Sequence, residues 1–135
     1  MKEPLHMPYA RISLLKGKPP AYLRAISDGL QRALVATFDV PEADCFQIFD
    51  QLEPEEFVFD RSYLCGPRSD AYVLIALTAG KPRSQQTKKD FYRRLVELLE
   101  KAPGLRREDV MVVIHMTEPE DWSFGNGLAT LVQDA

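Results

Sequence analysis

The chain has few of the residues from which metal centres are built. Its 135 residues include two cysteines and two histidines, and these do not stand at the short spacings of metal ligands. Cys45 and Cys65 form no C-x-x-C arrangement. The sequence therefore predicts reduced thiols, no metal site and no cofactor.

Long apolar runs are missing as well. No stretch approaches the roughly 18 apolar residues that cross a bilayer, and the N-terminus has no apolar signal segment. The net charge of -3 and the pI near 5.4 describe an acidic chain, so the basic residues between 81 and 94 are interpreted as a solvated helix face. We expect a cytoplasmic protein with neither a membrane nor a nucleic acid as partner.

Length and composition limit the number of domains. At 135 residues and 45% hydrophobic, the chain is long enough for one domain with a core and too short for two of ordinary size. We expect a single domain over 1–135. Its predicted parts are a lead (1–7), a first unit (8–69), a second unit (70–128) and a tail (129–135).

An internal repeat becomes visible when 65 is added to the residue number. Residues 44–48 then match 109–113, and 53–57 match 118–122. Both copies of the second segment read Glu-Pro, two acidic residues and an aromatic residue. Two copies of one supersecondary unit explain this recurrence.

Each copy contains the pattern of a β-α-β unit. Apolar residues three or four apart mark a helix beginning near Pro19 or Pro20 and a second helix with Ser84 as its N-cap. The inner faces of these helices are predicted to carry Leu23, Ile26, Leu30, Leu34 and Phe38, and Phe91, Leu95, Leu98 and Leu99. The main strands are predicted at 8–14, 46–49, 70–78 and 110–116, with a small hairpin or edge strand around 57–59.

Two right-handed β-α-β crossovers predict an α/β fold, a four-stranded mixed sheet with both helices on one face. The strand at 70–78 is apolar on both sides, so the face without helices would leave an apolar surface in water. Self-association is the expected remedy. A one-residue insertion in the sheet register is also expected around Ala79 and Gly80.

Four short motifs carry a resemblance to a known family. They are Met7-Pro8, then Val40-Pro41-Glu42-Ala43-Asp44 followed by Phe46-Gln47, then Lys81-Pro82-Arg83-Ser84, and Asp121-Trp122-Ser123-Phe124-Gly125. In this order and spacing the chain resembles the tautomerase superfamily, most closely its malonate semialdehyde decarboxylase-like subgroup. The resemblance implies two β-α-β units, an amino-terminal proline as catalytic group and a homotrimer.

The implied catalytic role of Pro8 depends on whether its nitrogen is an amine. An α-amino group titrates at roughly 7.7 to 8.0 and can exchange protons near neutral pH, whereas an amide nitrogen cannot. A start at Met7 followed by removal of that methionine would expose Pro8. A start at Met1 would leave Pro8 in a peptide bond, where it only begins a strand.

The resemblance also assigns the charged residues of the site. Asp44 would orient water or assist Pro8, although an aspartate before a strand also caps turns, as its copy Asp109 is expected to do. Arg83 would hold a substrate carboxylate with its planar fork beside a helix N-terminus. Lys81 stands where the family has a first arginine and keeps the charge without the fork.

Three aromatic residues complete the implied site. Trp122 and Phe124 correspond to an aromatic wall that makes the site apolar and strengthens charge interactions within it. Phe46 stands where relatives often have tyrosine. The alternative interpretation is that all three belong to the core.

Taken together, the leading hypothesis is an enzyme acting on a small keto or semialdehyde carboxylic acid, with decarboxylation as its reaction. A keto-enol tautomerase (isomerase) of the same fold is the first alternative, since the same groups suffice. The second is a non-catalytic trimeric anion-binding protein in which Pro8 is blocked.

Overall fold

A computed structural model describes residues 8–132 as two β-α-β units in one sheet. The strands are β1 (Tyr9–Leu15), β2 (Phe46–Leu52), β3 (Val73–Ala79) and β4 (Val110–Met116), and the helices are α1 (Pro20–Phe38) and α2 (Gln85–Lys101). Three short 3-10 helices lie at Pro54–Glu56, Arg107–Asp109 and Pro119–Asp121. The predicted α/β repeat is confirmed.

The strand order brings one end of each of the four strands to the same edge of the fold. The order is β2-β1-β3-β4, with β1 parallel to β2, β3 parallel to β4, and the central pair antiparallel. Consequently β1 and β2 begin at the end where β3 and β4 finish. We call this the proline end, because Pro8 directly precedes β1 there.

Local sequence explains where the helices begin. Helix α1 starts with Pro20, whose fixed φ suits the first turn. Helix α2 starts after Ser84, whose hydroxyl accepts a hydrogen bond from the Thr87 N–H. The helices pack closely, since a Cβ on Gly29 would lie 2.9 Å from Leu99 Cδ2.

The core lies between the two helices and one face of the sheet. The predicted inner-face residues of both helices are buried except Leu23, which is partly buried. They meet the alternate strand positions Ala10, Ile12, Leu14, Val73, Ile75, Leu77 and Ala79. None of the helices within residues 8–132 is long and apolar enough to cross a membrane.

The opposite sheet face carries no helix. Adjacent strands align Ile48, Arg11, Ala76 and Val113 in one row across it. Ile48 and Val113 are 43% and 52% exposed, and Arg11 pairs with Asp50 at 3.0 Å. In the single chain this face is a half-exposed, largely apolar surface, as the sequence predicted.

The two copies keep one interval of 65 residues. Ile12, which faces the helices, recurs as the equally buried Leu77, and the pairing of Tyr9 with Phe46 recurs as the pairing of Leu74 with Met111. The helix starts and the 3-10 helices after β2 and β4 also recur at 65. The one-residue insertion expected around Ala79 and Gly80 is therefore not found between the copies.

The predicted hairpin or edge strand around 57–59 is wrong. These residues have no β pairing. Phe57 and Phe59 instead stack on the Tyr72 ring, with centroid distances of 5.3 and 4.2 Å. The segment is held by aromatic packing rather than by strand pairing, because the Tyr72 ring lies next to it just before β3.

Candidate active site

The proline end gathers most of the predicted site residues. Tyr9 pairs with Phe46 on one side and with Thr78 on the other, so Pro8, one residue earlier, lies beside Ala79. Pro8 is buried. Asp44 enters β2 at this same end, and the segment from Gly80 to Ser84 leaves β3 there.

Arg83 is held by backbone groups of two elements. Its guanidinium donates to the Lys81 carbonyl at 2.8 Å and to the Phe38 carbonyl, at the last residue of α1, at 3.1 Å. It also lies 4.6 Å from the centre of the Phe38 ring. Burial lowers the pKa of Arg83, while nearby Asp39 opposes that shift, and the group remains a cation at neutral pH.

The start of α2 reinforces the positive character of this segment. Arg83 directly precedes the N-cap Ser84, so its guanidinium and the first amides of the helix are close in sequence and carry the same sign. Lys81 is half-buried and its carbonyl orients Arg83. This segment is suited to binding a small anion.

The aromatic residues enclose a recess at the proline end. Its volume is about 180 Å³, and it is lined by Tyr9, Phe46, Trp122, Ser123 and Phe124. Trp122 and Phe124 are stacked at 5.5 Å; we call this pair the aromatic wall. The recess is smaller than the roughly 300 Å³ at which drug-sized sites begin, so it suits a small ligand.

The interpretation of all three aromatics as core does not hold for the single chain. Phe46 is 53% exposed and Phe124 39% exposed, and Trp122 is half-buried. They line a surface recess instead. The charged candidates Asp44, Lys81 and Arg83 are at the same end of the sheet but are not among the lining residues of the recess.

Trp122 is attached to the end of β3. Its indole N–H donates to Thr117 Oγ1 at 2.6 Å, and that hydroxyl donates to the Ala79 carbonyl at 2.7 Å. The Thr117 amide donates to the same carbonyl at 3.0 Å. The aromatic wall therefore connects to the segment that carries Arg83.

Helix α1 holds the loop that carries Asp44. The side-chain amide of Gln31 donates to the Asp44 carbonyl at 2.8 Å, with longer contacts of 3.4 Å to the carbonyls of Pro41 and Glu42. Asp44 is partly buried. Next to it, burial and Asp28 raise the pKa of the Cys45 thiol, which keeps that thiol protonated.

Asp109, the counterpart of Asp44, does more than end a turn. It is fully buried, and its carboxylate accepts from the backbone N–H and the hydroxyl of Ser69 at 2.7 and 2.6 Å. The expectation that it caps a turn was therefore too narrow. It ties the connection between the two units to the start of β4.

Sequence reasoning missed three residues of this end. Tyr9 lines the recess because its partner across the strand is Phe46, and alternation along β1 was the available signal. Gln31 and Thr117 act through contacts between elements, for which the linear pattern offers no signal.

A larger cavity contains none of the predicted site residues, although Gln31 borders it. A groove of about 540 Å³ on the outer helix surface is lined by Asp28, Gln31, Arg32, Val35, Ala36, Glu42 and Arg94. It mixes both charge signs and is open to solvent. The clustering of chemistry-bearing residues, rather than cavity size, identifies the proline end as the candidate site.

A β-α-β repeat with a buried proline before β1 and a cationic helix start at the same sheet end defines the tautomerase class of fold. The family pattern described as "Tautomerase enzyme" matches residues 44–125, and a second pattern with that description matches 8–63. The chain belongs to this family.

A curated relative supports the assignment over nearly the whole chain. It is "Probable tautomerase YusQ" of Bacillus subtilis (strain 168), 34% identical over 127 residues, which cover 94% of this chain and 100% of the relative. The correspondence thus includes both β-α-β units.

Solved structures give the same result. A malonate semialdehyde decarboxylase is 34% identical with a TM-score of 0.84, covering 91% of this chain and 95% of that one. A fused 4-OT symmetric trimer has a TM-score of 0.72 at 21% identity, covering 89% and 94%, and supports the fold alone.

Proposed function

We propose that the chain is an enzyme that uses Pro8, exposed after removal of Met1 to Met7, to decarboxylate a small keto or semialdehyde carboxylic acid. The observation that carries this proposal is the meeting of Pro8, Asp44 and the Arg83 segment at one sheet end beside an aromatic recess. Its relative with a TM-score of 0.84 is described with decarboxylase and hydratase activities.

Arg83 is the proposed carboxylate binder. Two backbone carbonyls fix its guanidinium, so little conformational freedom is lost when an anion binds. Lys81 adds charge from the same segment. The recess of about 180 Å³ would accept the short carbon chain of such an acid and exclude larger ones.

Pro8 is the proposed acid. As a cationic secondary amine it would polarise the substrate carbonyl while the bond between the carboxylate and the adjacent carbon breaks. The electron pair of that bond passes towards the carbonyl oxygen and forms an enolate that the proline cation stabilises, and carbon dioxide leaves. The proton of that cation then adds to the carbon, and Pro8 recovers its proton from water. Asp44 would hold Pro8 or position water, and the aromatic wall would weaken solvation of the carboxylate.

Keto-enol tautomerisation is the second candidate. It needs Pro8 first as base and then as acid, with the same carboxylate binder, and the curated relative is called a probable tautomerase. Loss of carbon dioxide from a semialdehyde acid, followed directly, separates this activity from decarboxylation.

We further propose that the chain assembles as a homotrimer through its helix-free sheet face. The half-exposed row containing Ile48 and Val113 supports this, and a structural neighbour is described as a symmetric trimer. Such burial would remove this half-exposed apolar surface from water.

The decisive experiment is intact mass and N-terminal sequencing of untagged protein from its own source. The expected first residue is Pro8, and one of the family patterns begins its match at this residue. Protein beginning with Pro8 should decarboxylate malonate semialdehyde, and a version retaining Met1 to Met7 should lose about 10²- to 10⁴-fold of that activity.

Two results would contradict the proposal. Native protein beginning at Met1 or Lys2 would favour the non-catalytic anion-binding alternative. Equal activity of the two versions would exclude the proline amine as the acting group, whatever the native terminus is.

A further inference from the structure

Thr117 occupies a junction between the aromatic wall and the end of β3. Its hydroxyl accepts a hydrogen bond from the Trp122 indole at 2.6 Å and donates one to the Ala79 carbonyl at 2.7 Å. One hydroxyl group thus satisfies both partners, and the geometry fixes the direction of both bonds.

The counterpart of Thr117 in the first copy has no hydroxyl. Leu52 ends β2 and directly precedes Glu53, the N-cap of the next 3-10 helix. Thr117 follows the last residue of β4 and directly precedes the equivalent N-cap Glu118. The hydroxyl at this position is therefore a feature of the second copy.

The Ala79 carbonyl, which accepts the hydrogen bond from Thr117, lies at the start of the segment that leads to Arg83. Ala79 is followed by Gly80 and Lys81, and the Lys81 carbonyl accepts from Arg83 at 2.8 Å. A short chain of contacts therefore runs from the indole of Trp122 through Thr117 to the backbone that orients Arg83.

We propose that Thr117 is a positioning residue that sets the distance between the aromatic wall and the anion-binding segment. Its effect on turnover rests on the proposed function above, whereas its effect on Trp122 does not. Without the hydroxyl, the indole N–H loses its partner, and the buried Ala79 carbonyl keeps only the Thr117 amide. The indole would then rotate, and the recess would lose its defined shape.

The chain offers a direct readout of this contact, because Trp122 is its single tryptophan. Tryptophan emission therefore reports the wall alone. Thr117→Val keeps the shape and removes the hydroxyl, and Thr117→Ser keeps the hydroxyl and serves as the matched control. Emission, acrylamide quenching, kcat and KM are measured for both variants and for the unchanged chain, with sodium malonate as an unreactive carboxylate probe.

We expect Thr117→Val to shift the emission maximum and to increase quenching. KM and the malonate dissociation constant should rise about 3- to 10-fold with kcat changed less than about threefold. Thr117→Ser should stay within about twofold of the unchanged chain in each measurement. A purely structural role would lower the folded fraction, which reduces apparent kcat and leaves KM unchanged.

The proposal is overturned if Thr117→Val matches the unchanged chain in emission and in KM, or if Thr117→Ser behaves like Thr117→Val. Should Thr117→Val not fold, Trp122→Phe removes the donor from the other side of the bond. In that background Thr117→Ala must change KM by less than about twofold, and a larger change overturns the proposal. A wild-type chain without turnover would refute the proposed function, while emission and malonate binding would still test Thr117.

Discussion

The turns that follow β2 and β4 have the same backbone conformation, but their aromatic residues pack in different places. Both are 3-10 helices with a reciprocal capping box, formed by Glu53 with Glu56 and by Glu118 with Asp121. The aromatic residue after the first, Phe57, packs on Tyr72. The one after the second, Trp122, lines the recess.

The difference shows how one unit of a repeat can be specialised by single residues. At the interval of 65 residues, Arg83 stands in the second copy where the first has Lys18, and Thr117 stands where the first has Leu52. Arg83 and Thr117 both follow strands that finish at the proline end. The backbone of the copies is alike, whereas the site depends on which side chains occupy these positions.

The two matching aspartates provide the largest expected contrast. Asp109→Ala removes two short hydrogen bonds to Ser69 and should lower the free energy of unfolding by about 3 kcal/mol. Asp44→Ala, at a half-exposed position, should change it by less than about 0.5 kcal/mol and instead reduce kcat about 100-fold. Urea unfolding and initial rates test both variants, and the reverse pattern would contradict our assignment.

The residues that precede the two helix N-caps give the next contrast. Arg83→Ala should lower kcat/KM about 10- to 100-fold, because a charged hydrogen-bonding partner of the substrate is lost. Lys18→Ala, at the corresponding place before α1, should leave kcat/KM within about twofold. Steady-state kinetics on a semialdehyde acid measure both, and equal losses would mean that Arg83 acts only through general charge.

The two matching aromatic residues, Phe57 and Trp122, should differ in role: the first should affect stability and the second substrate binding. Phe57→Ala should cost about 1 to 2 kcal/mol of unfolding free energy, since the half-buried ring stacks on Tyr72, with KM unchanged. Trp122→Ala should raise KM about tenfold, because it opens the recess. Thermal unfolding measures the stability of both variants, and steady-state kinetics measure their KM. An unchanged KM for Trp122→Ala would show that the aromatic wall is not part of the substrate site.

The helix caps give the smallest expected contrast. Ser84→Ala removes the hydrogen bond to the Thr87 amide and should destabilise the protein by about 1 kcal/mol. Pro19→Ala, at the cap of α1 where no side-chain hydrogen bond exists, should have an effect below about 0.5 kcal/mol. Chemical unfolding of both variants measures the difference, and similar losses would show that the cap bond contributes little.

Much of the fold follows from periodicity in the sequence. The helix starts at Pro20 and after Ser84, the inner helix faces and the strand at 110–116 agree with the structure. They could be predicted because apolar spacing and caps act within a few residues. The segment at 57–59 was predicted wrongly, since its aromatic residues are ordered by Tyr72 from another element rather than by strand pairing.

The candidate site was predicted only in part. Pro8, Asp44, Phe46, Lys81, Arg83, Trp122 and Phe124 were named from motifs, and their catalytic and binding roles stay predictions. The structure adds that Arg83 is oriented by carbonyls of Lys81 and Phe38. Contacts that join residues 45 positions apart leave no periodic trace in a sequence.

The sequence by itself determined the repeat, the two amphipathic helices and the residues with the chemistry for a carboxylic acid, because these depend on side-chain type and local spacing. Only the tertiary structure decided which end of the sheet holds them. The antiparallel pairing of β1 with β3 brings Pro8 beside Ala79, and Thr117 then connects Trp122 to that same point. Strand order and contacts between elements act over distances that local patterns do not encode.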